Sequence, residues 1–241
     1  MAALFAGQYP AFASFVAGVS ASVLATVIVS LAGPAGEKAY QDFLTLGVTT
    51  FYPSRNMVPP DEWVDRLSKA RERCILLGQA HGEWCLDRRF EPALIDRLTN
   101  GVYVEMFFLN PDETAAKVRS KEDGIGVRDT LRRIRRSIIV IWRIREGLPQ
   151  PAKERLTLWI YDATPSLGVT WIDAEMLITH YLAGATNRTS PALVVEPRPG
   201  PNTIYAVYAE NVNKIRASFS DKITSEDVEK YIQEETDGHA A

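Results

Sequence analysis

Three histidines, His81, His180 and His239, are the only imidazoles in the chain, and two of them fall where a ligand would be met. His81 lies in QAHGEW, after an apolar run and before a glycine. There a polar ring has reason to face a cleft, and an equally good one to hydrogen-bond within a loop. His180 lies in LITHYLAG near the end of a strand. Alternation places Leu177, Thr179 and Tyr181 on one face and Ile178, His180 and Leu182 on the other. His180 therefore reads either as a structural histidine or as a second ring lining the cleft of His81. Two histidines without matching cysteine or carboxylate spacing do not form a zinc site, so no metal is expected. A P-loop, G-x-G-x-x-G, G-x-S-x-G and H-E-x-x-H are all absent from the chain, and no cofactor is expected.

In an open parallel sheet, ligands sit beyond the carboxyl ends of the strands. Here those ends carry Ser54 and Arg55, then Gln79, His81 and Trp84, then Asn110, then the stretch from Asp162 to Ser166. Arg55 beside Ser54 suits a phosphate or carboxylate, and equally a surface arginine near a turn. The expected ligand-binding set is Ser54, Arg55, His81, Asn110, Ser166 and His180, and the ligand it suits is a small anion.

The elements that must position these residues alternate. Gly47 to Tyr52 (GVTTFY) reads as a strand stopped by Pro53, and Pro59 and Pro60 open a helix from Asp61 to about Arg73. Cys74 to Ala80 (CILLGQA) is a continuous apolar run suited to a buried parallel strand. A helix with Phe90, Leu94, Ile95 and Leu98 at helical spacing ends at Asn100-Gly101, and Val102 to Leu109 (VYVEMFFL) is a third strand. Three strands joined by helices predict a parallel core with right-handed crossovers. After a charged helix, a second one from Val127 to Arg145 turns Val127, Leu131, Ile134, Ile138, Ile141 and Trp142 to the core. RLTLWIYD, GVTWID, EMLITHYLA and PALVVE follow as strands, the last three joined closely enough for hairpins. Asn202 to Phe219 closes the domain as a helix, and Ser225 to Glu235 is a short polar one expected at the periphery. The predicted fold class is α/β with a mixed sheet.

Ala11 to Gly33 is an uncharged stretch long enough to cross a bilayer, expected as an N-terminal transmembrane anchor. A buried core helix and a cleaved secretory signal are the alternatives, the second disfavoured because Met1 to Pro10 holds no Lys or Arg. Ala13, Ala17, Ala21 and Ala25 would let two such helices approach closely, as in a homodimer. Lys38 and Arg55 follow the span and no basic residue precedes it, which places the C-terminal domain in the cytoplasm of a single-pass cell-membrane protein. Cys74 and Cys85 cannot build a dense disulfide framework; reduced thiols fit a cytosolic domain, with a single disulfide as the alternative. The expected partners are thus the lipid bilayer through residues 11–33 and an anionic small molecule.

The formal net charge is only -3, so no global field draws the chain to nucleic acid. Ten basic residues nevertheless crowd the segment from Lys117 to Arg145. They read as a solvated face, as a contact to anionic headgroups, or as the grip on a polyanionic ligand. Without interleaved aromatics, no nucleic-acid partner is expected.

The run GVTTFYPSRNMVPPDEWVDRLSKARERCILLGQAH, followed by NGVYVEMFFLNPD and WIDAEMLITHYLAG, resembles a bacterial domain of unknown function. That domain is placed in the phospholipase D superfamily and often follows a DNA-binding helix-turn-helix. The resemblance covers about Gly47 to Phe219. It implies a phospholipase D-like mixed sheet with flanking helices over residues 37–220, after an anchor over 1–36 and before an acidic C-terminal tail with a short helix over 221–241. It also implies the pattern H-x-K-x-x-x-x-D, in which a histidine attacks phosphorus and a lysine steadies the phosphate oxygens. With Asp173 as the aspartate of that pattern, the histidine and lysine positions fall on Ser166 and Gly168, and no other H-x-K stands in the chain. No catalytic residue is therefore assigned. The expected function is a membrane-anchored, catalytically degenerate domain acting as a ligand-binding sensor or signalling module. An active phosphodiesterase rebuilt on His81 and His180, and a structural membrane adaptor, are the alternatives.

Overall fold

The apolar runs CILL and VEMFFL, too short for helices and with almost no polar side chain to present to water, become the central strands of a mixed sheet. A computed structural model describes residues 34–59, 61–112, 114–182, 187–200 and 203–237. The chain divides into two compact units, Met1–Leu46 and Gly47–Ala241. In the first, the helix Pro34–Thr45 is described.

The second unit is built on an eight-stranded sheet of order β1-β7-β6-β5-β2-β3-β4-β8. The strands are β1 Val48–Tyr52, β2 Arg73–Leu77, β3 Tyr103–Leu109, β4 Leu156–Tyr161, β5 Leu167–Ile172, β6 Glu175–His180, β7 Ala192–Val195 and β8 Ser220–Lys222. β2, β3 and β4 run parallel. β5, β6 and β7 form the antiparallel portion, and β5 joins it to β2 with Leu77 opposite Val169.

The parallel core differs from the expected one. β1 is an edge strand paired antiparallel to β7, and β4 takes its place beside β3. A central parallel strand must be apolar on both faces. GVTTFY is not, and Phe51 is left 56% exposed. Gly47, at φ +88°, enters β1 where a Cβ would stand 2.4 Å from the Glu196 carbonyl oxygen, so only glycine fits there.

Helices cover the sheet. Glu62–Ser68 and Phe90–Thr99 pack on one another, burying Trp63, Leu67, Phe90, Leu94 and Leu98. The long helix Val127–Glu146 buries Ile134, Ile138 and Ile141 and keeps most of its arginines outward. The C-terminal segment is not peripheral. Its β8 pairs with β4, and its helix Ser225–Asp237 lies on the long helix, with Val228 and Tyr231 buried.

The fold class needs one correction. Among the described residues no helix is long and apolar enough to cross a membrane. The span expected over Ala11 to Gly33 lies outside them, and the architecture that stands is a mixed α/β domain with an eight-stranded sheet.

Candidate anion-binding cleft

The carboxyl end of β2 opens into a cleft of about 630 Å³ between the sheet and the long helix. Strand direction explains its place. Where β2 stops, β5 begins antiparallel to it and β6 ends beside β5, so the end of one strand and the starts and ends of its neighbours share an edge. Residues 78–81 and Gly168, Thr179 and Tyr181 line it from the sheet side. Trp84, Ile125, Val140 and Leu177 supply apolar surface.

Four arginines reach the cleft, Arg55, Arg133, Arg136 and Arg188, against two carboxylates, Glu83 and Asp123. Arg55 stands in the 3-10 turn that follows β1, where its N–H donates to the Ser190 carbonyl oxygen at 2.8 Å. Its Nη1 lies 2.8 Å from Glu83 Oε2, and Arg188 Nε lies 3.0 Å from Glu83 Oε1. Glu83 is thus held by one arginine at each oxygen. Arg133 is different: it is exposed on the long helix and its side chain has no hydrogen bond or ion pair among the described residues. Arg136 pairs with Glu235 of the C-terminal helix at 2.7 Å. Asp123 is held by the buried guanidinium of Arg119, which also lies 4.8 Å over the Tyr181 ring. Burial raises the Asp123 carboxyl in spite of that partner.

His81 is held in the left-handed region at φ 51°. Its Nε2–H donates to the Phe107 carbonyl oxygen at 2.9 Å, and its ring meets Phe108 edge-on. Burial, reinforced by the positive charge of Arg55, lowers its pKa to about 4 against the pull of the Phe107 carbonyl. It is a neutral ring at pH 7. Gln79 carries a buried side-chain Nε2 without a hydrogen-bond partner among the described residues, a free amide donor at the same edge.

The other expected site residues lie elsewhere. The Ser54 hydroxyl donates to the Arg188 carbonyl oxygen at 2.8 Å, so Ser54 ties together the two loops that carry Arg55 and Arg188. Asn110 accepts from the Asp112 N–H and closes its own turn. Ser166 is exposed beside Tyr181, which donates its N–H to the Ser166 carbonyl oxygen. His180 hydrogen-bonds the Tyr208 hydroxyl at 2.7 Å. One residue past the cleft-lining Thr179, it takes the opposite face of the sheet, and the two histidines do not meet. Asp173 lies at the far end of the sheet. At φ 50° it turns the β5–β6 hairpin and accepts the N–H groups of Arg71, Glu72 and Arg73, pinning the start of β2.

At Gly168, where the resemblance would put a lysine, a Cβ would stand 3.1 Å from the Tyr181 hydroxyl. That hydroxyl accepts from the Gln79 backbone N–H under the Arg119 guanidinium, so it has little room to yield. The space of the lysine is taken by tyrosine.

Sequence reasoning passed over Glu83 and Arg188, and took Arg133 and Arg136 only as part of the basic segment of the long helix. A signal for part of this set does exist. Thr130, Arg133, Ser137 and Val140 recur at helical spacing and line one stripe of the long helix.

The domain is thus of the mixed α/β class, with a cleft at its strand ends that is apolar on one side and rimmed by arginines. Residues 85–220, more than half of the chain, match the family described as Domain of unknown function (DUF5919), and the chain belongs to it. No curated protein matches. Many solved structures are similar, two of which serve as examples. One is TrmBL2, an archaeal chromatin protein reported to show a novel mode of DNA binding, at 13% identity and a TM-score of 0.44 over 88% of this chain and 69% of that one. The other is a phosphatidylserine synthase from Haemophilus influenzae Rd KW20, at 12% identity and a TM-score of 0.42 over 73% of this chain and 42% of that one. The chain thus spans less than half the length of the synthase.

The expected partners are corrected in turn. No lipid contact is shown, the bilayer reading having rested on residues outside the described ones.

Proposed function

We propose that the domain is a ligand-binding module whose cleft holds a small organic anion with an apolar body, and that it senses this ligand rather than turning it over. The observation that carries the reading is Arg133, a cation at the cleft wall with no partner among the described residues, facing a pocket that also offers apolar surface. An isolated cation gains a charge-assisted contact from an anion at no cost of breaking an existing pair. The apolar side formed by Trp84, Ile125, Val140 and Leu177 adds the burial that a bare inorganic ion could not use. Chemistry on the ligand is disfavoured by the commitment of the neutral His81 to a backbone carbonyl and by the seat of Gly168 against Tyr181.

The test is calorimetric titration of the full-length chain with phenyl phosphate. Arg133→Ala should weaken binding about tenfold or more, the worth of one charge-assisted hydrogen bond. Arg132→Ala, whose guanidinium pairs with Asp129 at 2.7 Å outside the cleft, should stay within about twofold. Equal losses from the two substitutions, or no loss from Arg133→Ala, would remove the site.

A further inference from the structure

We propose that Glu83 is the resident anion of this cleft, an internal competitor that a phosphate monoester must displace from Arg55 and Arg188. The inference rests on the ligand-binding reading above and names the chemistry of its ligand. Both oxygens of Glu83 are already engaged, Oε2 by Arg55 at 2.8 Å and Oε1 by Arg188 at 3.0 Å, from two loops that Ser54 joins. Two of the four arginines of the cleft are therefore closed to a newcomer until Glu83 leaves. The carboxylate has somewhere to go, because its side chain is 44% exposed and can turn to water.

An entering carboxylate would exchange one single negative charge for another of the same shape. It gains nothing at Arg55 and Arg188. A phosphate monoester brings a charge of about -1.5 to -2 and three acceptor oxygens. Its third oxygen and extra charge exceed what Glu83 supplies to the same pair, and Arg133 on the facing helix extends the grip. The apolar surface across the cleft then takes the organic body. Displacing Glu83 costs both ligands the same, so the competitor lowers both affinities and leaves the difference between them to the arginines. A site that merely carries positive charge has no such competitor to displace.

The experiment compares phenyl phosphate with benzoate, titrated calorimetrically into the full-length chain and into Glu83→Gln. The unsubstituted chain should bind phenyl phosphate at least tenfold more tightly than benzoate. In Glu83→Gln both affinities should rise, each by about tenfold, the worth of one charge-assisted contact, while the ratio holds within about threefold. Glu83→Ala, measured alongside, should give the same rise, which guards against a local effect of the glutamine on the short helix Gly82–Leu86. Unchanged affinities, a fall in both, or a rise for one ligand alone would overturn the role of Glu83. That failure is distinguishable from failure of the cleft itself: in the first case Arg133→Ala still weakens phenyl phosphate binding, in the second it does not.

Discussion

His81 donates its Nε2–H to the carbonyl oxygen of Phe107 across 2.9 Å, and this bond determines the state of the ring. A carbonyl only accepts, so the proton sits on Nε2 and Nδ1 is left as the acceptor. That nitrogen packs toward Gly78, where a Cβ would stand 3.4 Å from it. The imidazole is enclosed, neutral and beside the cation of Arg55.

Acid should therefore weaken the fold through this residue. The unfolded ring takes up a proton near pH 6.5 and the folded ring near pH 4, so between those values the unfolded state binds more protons and stability falls as the pH falls. The full shift corresponds to at most about 3 kcal/mol, and partial exposure of the residue reduces it. His81→Asn, which tolerates the left-handed backbone, should lose less stability than the parent chain between pH 7 and pH 4. Urea unfolding at the two pH values measures this, and parallel losses in both proteins would refute it.

Asp173 should act on stability and not on binding. Three backbone N–H groups converge on its carboxylate at 2.9 to 3.1 Å, at the end of the sheet away from the cleft. Asp173→Ala should cost about 2 kcal/mol, with Asp173→Asn costing roughly half of that. Phenyl phosphate affinity should hold in both variants. A large fall in affinity with an unchanged denaturation midpoint would contradict this assignment.

The C-terminal helix should be held by apolar contact more than by its ion pairs. Tyr231 is 2% exposed against the long helix, and its substitution by alanine should cost about 3 kcal/mol. Glu235→Ala removes a pair to Arg136, which is itself half-exposed, and should cost less than about 1 kcal/mol. Guanidinium unfolding of both variants checks the order, and a reversed order would place the anchor in the charges.

Local pattern carried much of the fold. The helix read as Val127 to Arg145 spans Val127–Glu146, and the run RLTLWIYD contains β4 at Leu156–Tyr161. Both follow from periodicities set by backbone geometry within a few residues. The hairpin portion was legible for a related reason, since short gaps between GVTWID, EMLITHYLA and PALVVE leave antiparallel neighbours as the economical pairing. The order of strands in the sheet was not legible. Whether β1 or β4 completes the parallel set depends on which strand can be buried on both faces beside β3, a contact between residues about 50 positions apart.

The candidate site divides along the same line. Arg55 and His81 could be picked out because they follow strands directly, and chain direction alone puts such residues at one edge. The composition likewise established that no H-x-K pair exists to attack phosphorus. What only the tertiary structure decided is who stands opposite whom: that Arg55 and Arg188 share Glu83, that Arg133 reaches the cleft while Arg132 turns to Asp129, and that His180 goes to Tyr208. Charge and polarity are properties of a residue, and sequence displays them. Pairing is a property of distance between elements far apart in the chain, and only packing of the long helix and the loops against the sheet sets it.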